Sequence, residues 1–250
     1  MRYGRTALIL TVCCFASAAA QAEPLRLLFF GNSFTQGGGT SNVAATVGWI
    51  ATSAGHETPQ VVHDLSGGTN LDYHIGQVDT HPADNVEKIS PGLHWDFVVM
   101  QEFSTKPTHI GDPADFRADA AALYGRIRNH SPGVEAVLFE TWARAPGHSF
   151  YPTYFPEPAA MQAELRANYG LAAGDIAASG GLARVAPVGD VWESTGWNDL
   201  HGGDLYHGNA RGYTLASMVI YRSIYGQDVS EIPYAAVKIW ADSRGLDAGQ

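Results

Sequence analysis

The chain has 250 residues and a formal net charge of −10, from 25 acidic and 15 basic side chains. A protein this acidic repels nucleic-acid backbones and anionic lipid surfaces, which excludes both as expected partners. Hydrophobic residues make up 45% of the sequence, enough for a sizeable core, so the 28 glycines indicate many tight loops and not disorder.

The N-terminal residues 1–22 have the pattern of a secretory signal peptide. Arg2 and Arg5 give a positive start, residues 7–16 form a short apolar segment, and Ala20-Gln21-Ala22 is a small-x-small cleavage site. The apolar segment is too short to span a bilayer, so we expect no membrane anchor. The pattern predicts a secreted or periplasmic protein with a bacterial export signal.

The two cysteines, Cys13 and Cys14, both lie in this signal segment. The mature chain would therefore contain no cysteine, which excludes disulfides, cysteine nucleophiles and cysteine-bound zinc together. No internal repeat, low-complexity linker or change of composition divides the remainder of the chain. Residues 23–250 are therefore predicted to form a single domain.

Short apolar runs alternate with segments of helical spacing along the rest of the chain. An apolar run bounded by turn residues is typical of a buried strand, and apolar residues three or four apart indicate one face of a helix. The predicted strands are residues 25–30, 60–65, 95–100, 134–141 and 182–188, and the predicted helices are residues 43–53, 113–130, 159–178, 209–225 and 233–244. Residues 71–89 are predicted as loop with some helix. The alternation predicts a parallel sheet covered by helices on both faces.

The first strand ends at a sharp turn that holds a serine. Gly31 and Asn32 readily take tight-turn backbone angles, and Ser33 follows them directly. Open α/β sheets bind ligands at the carboxyl ends of their strands, and a nearby helix N-terminus favours negative charge. The pattern makes Ser33 a candidate nucleophile, with a plain turn residue or helix cap as the alternative.

A serine nucleophile needs a base, and the base needs an acid to orient it. Asp204 and His207 stand three residues apart on a glycine-rich loop before the helix at 209–225, a spacing that lets both side chains point the same way. The carboxylate could then hold the imidazole in one tautomer. The alternative is a capping aspartate beside a surface histidine, and residues 72–74 and 79–81 contain competing acid–histidine pairs.

A metal site is the competing kind of centre. His63, Asp64 and His74 carry suitable ligand atoms near the second strand, so a site built from them stays open on residue types alone. No His-Glu-x-x-His or similar spacing supports it, however. We therefore expect catalysis without a metal and without any other cofactor.

Acyl transfer also needs hydrogen-bond donors aimed at the developing oxyanion. Three candidates follow strand ends: the backbone N–H of Ser33, the backbone N–H of Gly68 and the side-chain amide of Gln101. A glycine lets a substrate approach the main chain closely, although a plain strand-to-loop turn would also explain Gly68. Next to Gln101, Glu102 has a structural alternative in hydrogen bonds to loop amides.

These residues occur in blocks whose order resembles that of the SGNH (GDSL) hydrolases. Ser33 lies in Gly-Asn-Ser-Phe-Thr, Gly68 in Ser-Gly-Gly-Thr-Asn, Gln101 in Val-Met-Gln-Glu, and Asp204-x-x-His207 forms the last block. The resemblance covers nearly all of the mature chain. It implies a flavodoxin-like three-layer α/β/α sandwich with a five-stranded parallel sheet. It also implies a catalytic Ser33, a general base His207, an orienting Asp204 and an oxyanion hole from Ser33, Gly68 and the third-block amide.

Two positions depart from the family pattern. The first block has Asn32 where the family has Asp, and asparagine can make the same turn hydrogen bonds. The third block has Gln101 where the family usually has Asn, and a side chain one methylene longer needs a shifted backbone to reach the same oxygen. Thr35 stands where a Gly-x-Ser-x-Gly elbow would have its second glycine, which separates the chain from the α/β-hydrolases.

The resemblance implies a carboxylic ester hydrolase that works through an acyl-enzyme. We expect short acyl esters as substrates, O-acetyl groups on carbohydrates among them, so the expected partner is a small-molecule or glycan ester. Residues 142–155 are rich in aromatic side chains that can stack on sugars. Asn70, Trp142 and Tyr206 are the candidate substrate-binding residues. An O-acyltransferase to a glycan and a non-catalytic carbohydrate-binding protein stay open as alternatives.

Overall fold

The structure, a computed structural model, describes residues 23–37 and 42–233. The predicted signal segment at 1–22 lies outside the described residues, and so does nearly all of the helix predicted at 233–244. The five predicted strands are all present, with ends that differ from the predicted ones by a few residues at most.

The strands form one parallel sheet. They are β1 (Arg26–Gly31), β2 (Gln60–Leu65), β3 (Phe97–Met100), β4 (Glu135–Phe139) and β5 (Leu182–Ala186). Their order across the sheet is β2-β1-β3-β4-β5, with every neighbouring pair parallel. This is the flavodoxin-like order, in which the chain leaves β1 toward one side and returns on the other. A crevice therefore opens beyond the carboxyl ends of β1 and β3, where such sheets bind ligands.

The central strands are apolar on both faces, as a sheet covered on both sides requires. In β1, Leu28 and Phe30 belong to the core on one face of the sheet, while Leu27 and Phe29 belong to the core on the other. All four side chains are fully buried. This double burial explains why β1 is an uninterrupted apolar run in the sequence and not an alternating one.

Helices cover the two faces in groups of three. The helices are α1 (Ser33–Gln36), α2 (Val43–Ser53), α3 (Leu71–Thr80), α4 (Pro113–His130), α5 (Pro158–Ala178), α6 (Val188–Ser194) and α7 (Ala210–Tyr225), with 3-10 turns at Pro82–Asp84 and Val229–Glu231. Helices α3, α4 and α5 pack on one face, and α2, α6 and α7 pack on the other. None of the described helices is long and apolar enough to cross a membrane.

Five of the helices, α1 with its cap Asn32 among them, begin at a side chain that caps them. Asn42, Asn70, Asp112 and Asn209 each accept a hydrogen bond from the backbone N–H three residues on, at the starts of α2, α3, α4 and α7. Such a cap satisfies one of the free N–H groups of the first turn and is worth about 1 kcal/mol. These short polar residues therefore fix where the helices start, and with them the loops at the carboxyl edge of the sheet.

Two segments differ from the predicted elements. Residues 71–80 form a regular helix, because Leu71, His74 and Val78 fall on one buried face although polar residues break up the apolar pattern. The fifth strand ends at Ala186, and Val188 already belongs to α6, which the pattern did not predict. Pro187 separates the two because it has no N–H to give to the strand ladder.

Candidate active site

The turn after β1 presents Ser33 at the carboxyl edge of the sheet. Asn32 is buried and caps α1, with its Oδ1 accepting the N–H of Phe34 at 3.1 Å. Its Nδ2 donates to the carbonyl of Thr69 at 2.8 Å, which ties the turn to the loop that contains Gly68. Ser33 is the first residue of α1 and is half-buried, so its hydroxyl is accessible from the crevice.

The structure brings Ser33, His207 and Asp204 into one line of contacts. His207 Nε2 lies 3.0 Å from Ser33 Oγ, and His207 Nδ1 lies 2.7 Å from Asp204 Oδ2. Both distances are within hydrogen-bonding range for a nucleophile, its base and an orienting acid. With the carboxylate accepting from Nδ1–H, the Nε2 lone pair faces the serine hydroxyl, which is the arrangement a general base needs.

Asp204 is held as a carboxylate by its neighbours. Burial alone would raise its pKa, but hydrogen bonds from the His207 ring and from the backbone N–H groups of Tyr206 and His207 lower the pKa to about 2. Both N–H groups lie 2.9 Å from Asp204 Oδ1, so the second carboxylate oxygen is left for the imidazole. The charge that orients His207 is therefore present at any pH near neutral.

The loop that carries these two residues is tightly wound. The N–H of Gly202 donates to the carbonyl of His207 at 2.7 Å, and the N–H of Leu205 donates to the carbonyl of Gly202 at 3.0 Å. Leu205 has a φ of 59°, a left-handed conformation that is unfavourable for a residue with a branched side chain. The loop therefore needs support from outside itself.

Residues 142–145, which follow β4 after two residues, supply that support. Trp142 Nε1 donates to the carbonyl of Tyr206 at 3.1 Å, and the N–H of Ala145 donates to the carbonyl of Leu205 at 3.0 Å. In return, His201 Nε2 donates to the carbonyl of Ala143 at 2.9 Å. No sequence pattern signals this role, because each of the three contacts uses backbone atoms that every residue has.

Trp142 is not placed to touch a substrate, contrary to the prediction. Its side chain is fully buried and lies between the rings of Phe34 and Trp192, with ring centroids 4.3 Å and 4.0 Å away and both ring planes nearly parallel to its own. Burial of this large apolar ring in the stack stabilises the fold more than its exposure at the surface would. Trp142 instead supports the turn that holds Ser33 through Phe34, and the loop that holds His207 through Tyr206.

Gln101 also has a different environment from the predicted one. It is fully buried, and its Oε1 accepts from the N–H of Asn32 and the hydroxyl of Thr35, both at 2.9 Å. Its Nε2 donates to Asn32 Oδ1 at 2.9 Å and to the carbonyl of Glu102 at 2.5 Å. Both amide hydrogens are used, so this amide has none to offer an oxyanion. Gln101 therefore ties the turn that holds Ser33 to the end of β3.

The other two predicted oxyanion donors remain accessible. Neither the backbone N–H of Ser33 nor that of Gly68 donates a hydrogen bond to another described residue. Gly68 is exposed and has a φ of 75°, a conformation that favours glycine. These two N–H groups belong to loops that Asn32 joins, on the serine side of the crevice.

Glu102 stabilises the neighbouring loop through hydrogen bonds to loop amides, which is the structural role that the sequence analysis gave as its alternative. Its Oε1 accepts the N–H of Phe103 at 2.5 Å and that of Leu71 at 3.3 Å. Burial raises its pKa to about 7, against the lowering effects of these hydrogen bonds and of the Lys106 charge. Glu102 thereby links the end of β3 to the start of α3, where Asn70 lies.

The competing acid–histidine pairs have other partners. His74 is fully buried, its Nε2 donates to the carbonyl of Gly31 at 3.0 Å, and its Nδ1 lies 3.5 Å from Asp64. Asp79 forms an ion pair with Arg126 at 2.7 Å. The described residues contain no group of three or more His, Cys, Asp or Glu side chains placed to hold a metal.

A pocket of about 400 Å³ opens beside Gly68. It is bounded by the loops after β2 and β3 and by the start of α3. Its lining residues are Gly68, Thr69, Asn70, Tyr73, Phe103, Thr105, Lys106 and Gly111. Of the three predicted substrate-binding residues, Asn70 lines this pocket, and Tyr206 packs beside the His207 ring with centroids 4.1 Å apart.

No protein-family model and no curated protein sequence matches the chain. Its fold matches that of several solved structures. One, from Slackia heliotrinireducens and assigned to the SGNH hydrolases, is 23% identical with a TM-score of 0.62 over 81% of this chain and 100% of that one. A DUF4886 family protein from Bacteroides uniformis is 19% identical with a TM-score of 0.65 over 85% and 87% of the two chains.

A third match, a variant of an acetyl-xylooligosaccharide esterase from Geobacillus, is 12% identical with a TM-score of 0.61 over 84% of this chain and 98% of that one. The sheet order, the three layers and these likenesses define one class of fold. The chain has the three-layer α/β/α fold of the SGNH hydrolases, as the resemblance of its sequence blocks implied.

Proposed function

We propose that this protein is a secreted serine esterase that hydrolyses short acyl esters through Ser33, His207 and Asp204. The observation that carries the proposal is the unbroken line of contacts from the Asp204 carboxylate through the imidazole to the serine hydroxyl, at 2.7 Å and 3.0 Å. A nucleophile, a base and an orienting acid in this order are what acyl transfer requires. The SGNH-hydrolase fold supports the same class of reaction.

In the first half of the reaction, His207 Nε2 takes the hydroxyl proton while Ser33 Oγ attacks the ester carbonyl carbon. The electron pair of the carbonyl moves to its oxygen, and the backbone N–H groups of Ser33 and Gly68 donate to that oxyanion. When the tetrahedral intermediate collapses, the bond to the alcohol oxygen breaks. The leaving alcohol takes the proton from His207.

In the second half, His207 removes a proton from water as the water oxygen attacks the acyl carbon. The bond to Ser33 Oγ then breaks, the serine takes the proton back, and the carboxylic acid leaves. Asp204 keeps one tautomer of the imidazole in both halves and stabilises the imidazolium that forms between proton transfers. Atoms and charges balance with water as the sole co-reactant.

The pocket beside Gly68 supports an uncharged substrate with a sugar as its alcohol part. Tyr73 and Phe103 offer aromatic surface, and Asn70 and Thr105 offer hydrogen-bonding groups, a combination that suits a sugar ring. Lys106, the one cation of the lining, is 2.7 Å from Asp115 and 2.5 Å from Asp119. Its charge is already compensated, which disfavours an anionic ligand. An acetyl-xylooligosaccharide esterase with the same fold gives the carbohydrate ester further support.

Export completes the proposal. The signal pattern of residues 1–22 supports a location in the periplasm or the medium, where polymeric glycan esters are met. The formal net charge of −10 gives no support to nucleic-acid or membrane partners. The partner we propose is therefore the ester substrate itself.

Labelling with a serine-reactive phosphonate tests the nucleophile. We expect one phosphonate per chain of folded protein, with the modified peptide containing Ser33, because the base beside it activates that hydroxyl alone. The variant S33A should take up none. Labelling of another serine, or none on the folded wild type, would contradict the proposal and favour a non-catalytic carbohydrate-binding protein.

Acyl-chain length tests the substrate part separately. We expect the ratio kcat/KM to fall from acetyl to butyryl to octanoyl esters of p-nitrophenol. A preference for octanoyl would overturn the short-acyl part while leaving the triad intact. Product analysis with an added glycan acceptor separates hydrolysis from transfer, since a transferase would pass the acyl group to the sugar.

A further inference from the structure

Arg144 is a buried cation without an acidic partner. It lies in the segment after β4 that supports the catalytic loop, and only 4% of its surface is exposed. No described carboxylate lies within ion-pair distance of its guanidinium. Nη2 donates to Ser104 Oγ at 3.0 Å, while Nη1 has no hydrogen-bond partner among the described residues.

Two aromatic rings contact the Arg144 guanidinium where an acidic side chain would otherwise pair with it. The Cζ atom of Arg144 lies 3.7 Å from the centroid of the Tyr206 ring and 5.2 Å from that of Phe150. The first distance is typical of close stacking on a ring face, where the cation is attracted by the ring electrons. Burial lowers the pKa of Arg144 to about 10, and nearby Tyr206 and Tyr151 act to raise it. Arg144 therefore remains charged at neutral pH.

The same tyrosine ring packs against the catalytic base. The centroid of the Tyr206 ring lies 4.1 Å from that of His207 and 5.2 Å from that of Phe34, the residue after the nucleophile. The guanidinium, the phenol ring and the imidazole thus form a column of three groups. We call Arg144, Tyr206 and His207 the catalytic column. The last group of the column is the imidazole, whose Nε2 faces Ser33 Oγ.

Stability alone does not explain a charge at this place. A buried cation gives up its hydration, and an apolar side chain of similar length would fill the space without that cost. What the charge provides is a directional contact to one ring face, which an apolar side chain lacks. The orientation of that ring in turn limits how far the imidazole can swing.

We propose that Arg144 is a positioning residue for the general base: its guanidinium fixes the Tyr206 ring, and that ring holds His207 in line with Ser33. The inference rests on the proposed function. It assigns Tyr206 to the support of the base instead of to the substrate, because one face of its ring is taken by the cation.

Steady-state kinetics of R144M, R144K and Y206L test the column. For R144M we expect kcat on an acetyl ester to fall about tenfold or more with KM unchanged, because the guanidinium supports the base and does not touch the substrate. The variant R144K keeps a cation and should recover part of the activity. The melting temperature of R144M should equal or exceed that of the wild type, whereas a purely structural arginine would lower it.

The double variant R144M/Y206L gives the sharper result. If the arginine acts through the tyrosine, its removal has no further effect once the ring is gone, so the double variant should have the kcat of Y206L. A kcat of the double variant lowered by the product of the two single reductions would overturn the inference. A wild-type kcat in R144M would overturn it as well. The variant R184M is the matched control. The Cζ atom of Arg184, on β5, lies 5.6 Å from the centroid of the Phe97 ring, on β3, so this substitution also removes an arginine from an aromatic ring and should leave kcat unchanged.

Phosphonate labelling separates this inference from the proposed function. We expect the wild type to be labelled at Ser33 and R144M to be labelled more slowly, by about the same factor as kcat. Equal rates for the two would refute the role of Arg144 and leave the esterase standing. A wild type that takes up no label would refute the esterase, and the inference with it.

Discussion

Gln101 and Asn32 bind each other reciprocally. The Asn32 backbone N–H donates to Gln101 Oε1, and Gln101 Nε2 donates to Asn32 Oδ1, both at 2.9 Å. Both side chains are buried, so neither can exchange this partner for water. The pair joins the carboxyl ends of β1 and β3 at the point where the sheet order reverses. The turn that holds Ser33 is thus fixed by a side chain that lies 69 residues from Asn32 in the sequence.

We expect Q101L to lower stability as well as activity. The substitution leaves the Asn32 N–H and the Thr35 hydroxyl without their acceptor in a buried site, at a cost of about 2–4 kcal/mol. Urea unfolding would measure the drop in stability, and ester turnover would show the disordered turn as a lower kcat. A variant with wild-type stability but a hundredfold lower kcat would instead support the oxyanion role that the sequence predicted.

Gly31 is expected to tolerate no side chain. A Cβ atom there would lie 2.9 Å from Gln101 Oε1 and closer still to Thr35 Oγ1, which are the groups that fasten the turn. We expect G31A to destabilise the fold by about 2 kcal/mol or more and to lower kcat. The matched control is G170A, an exposed position in α5 with open space around it, which should gain about 0.5–1 kcal/mol. Thermal melting of both variants measures the contrast, and a neutral G31A would contradict this account of the turn.

We expect D204N to lose most activity while keeping its fold. An amide at this position would present a donor to His207 Nδ1 and favour the wrong tautomer, so kcat/KM should fall by about 10³-fold. The side chain is half exposed, so the melting temperature should change little. The control D199N removes an exposed carboxylate of the same loop, which pairs with Arg211, and should stay within about twofold of the wild type. Equal activity of D204N and D199N would rule out an orienting role for Asp204.

The buried Glu140 predicts a pH dependence of stability. Burial raises its pKa above the ordinary value of 4.5, and the nearby Asp190 carboxylate raises it further. The folded chain then holds a proton that the unfolded chain releases as the pH passes 4.5. The contribution of Glu140 to stability is therefore fully present below that pH and is lost as the pH rises through the raised pKa of the folded state.

We expect E140Q to remove this pH dependence. A glutamine can still accept from Gln162 Nε2, as Glu140 does at 2.6 Å, and it has no proton to lose. The variant should be about 2 kcal/mol more stable than the wild type at pH 8 and equal to it at pH 4.5. Urea unfolding at the two pH values gives the comparison. A variant that is less stable at pH 8 would show that Glu140 is ionised in the fold.

The fold was predictable because its strongest signals are local. A fully buried strand such as β1 is an apolar run that needs no partner to be recognised. The position of Ser33 was predictable for a related reason, because it follows a strand that ends at the carboxyl edge of the sheet. Asp204 and His207 were found from their spacing on the loop before α7, and their approach to Ser33 is seen only in the structure. Helix α3 was harder, because its buried face includes His74, which the apolar pattern does not count.

The roles of Gln101 and Trp142 were not predictable, because each depends on long-range contacts. An amide after a strand can face the crevice or turn back to the neighbouring strand, and only the position of Asn32 decides between them. A tryptophan after a strand can line a site or fill a core, and here Trp192, from the unpredicted helix α6, completes the stack. The cation–π contact of Arg144 has the same origin.

Turnover of an acetyl ester by S33A, measured beside the wild type under the same conditions, shows whether Ser33 is the nucleophile. Removal of the hydroxyl takes away the atom that attacks the carbonyl, and alanine leaves the buried partners of the turn in place. We expect kcat/KM to fall by at least about 10³-fold with an unchanged melting temperature. A folded S33A that hydrolyses the ester at the wild-type rate would show that Ser33 is not the nucleophile.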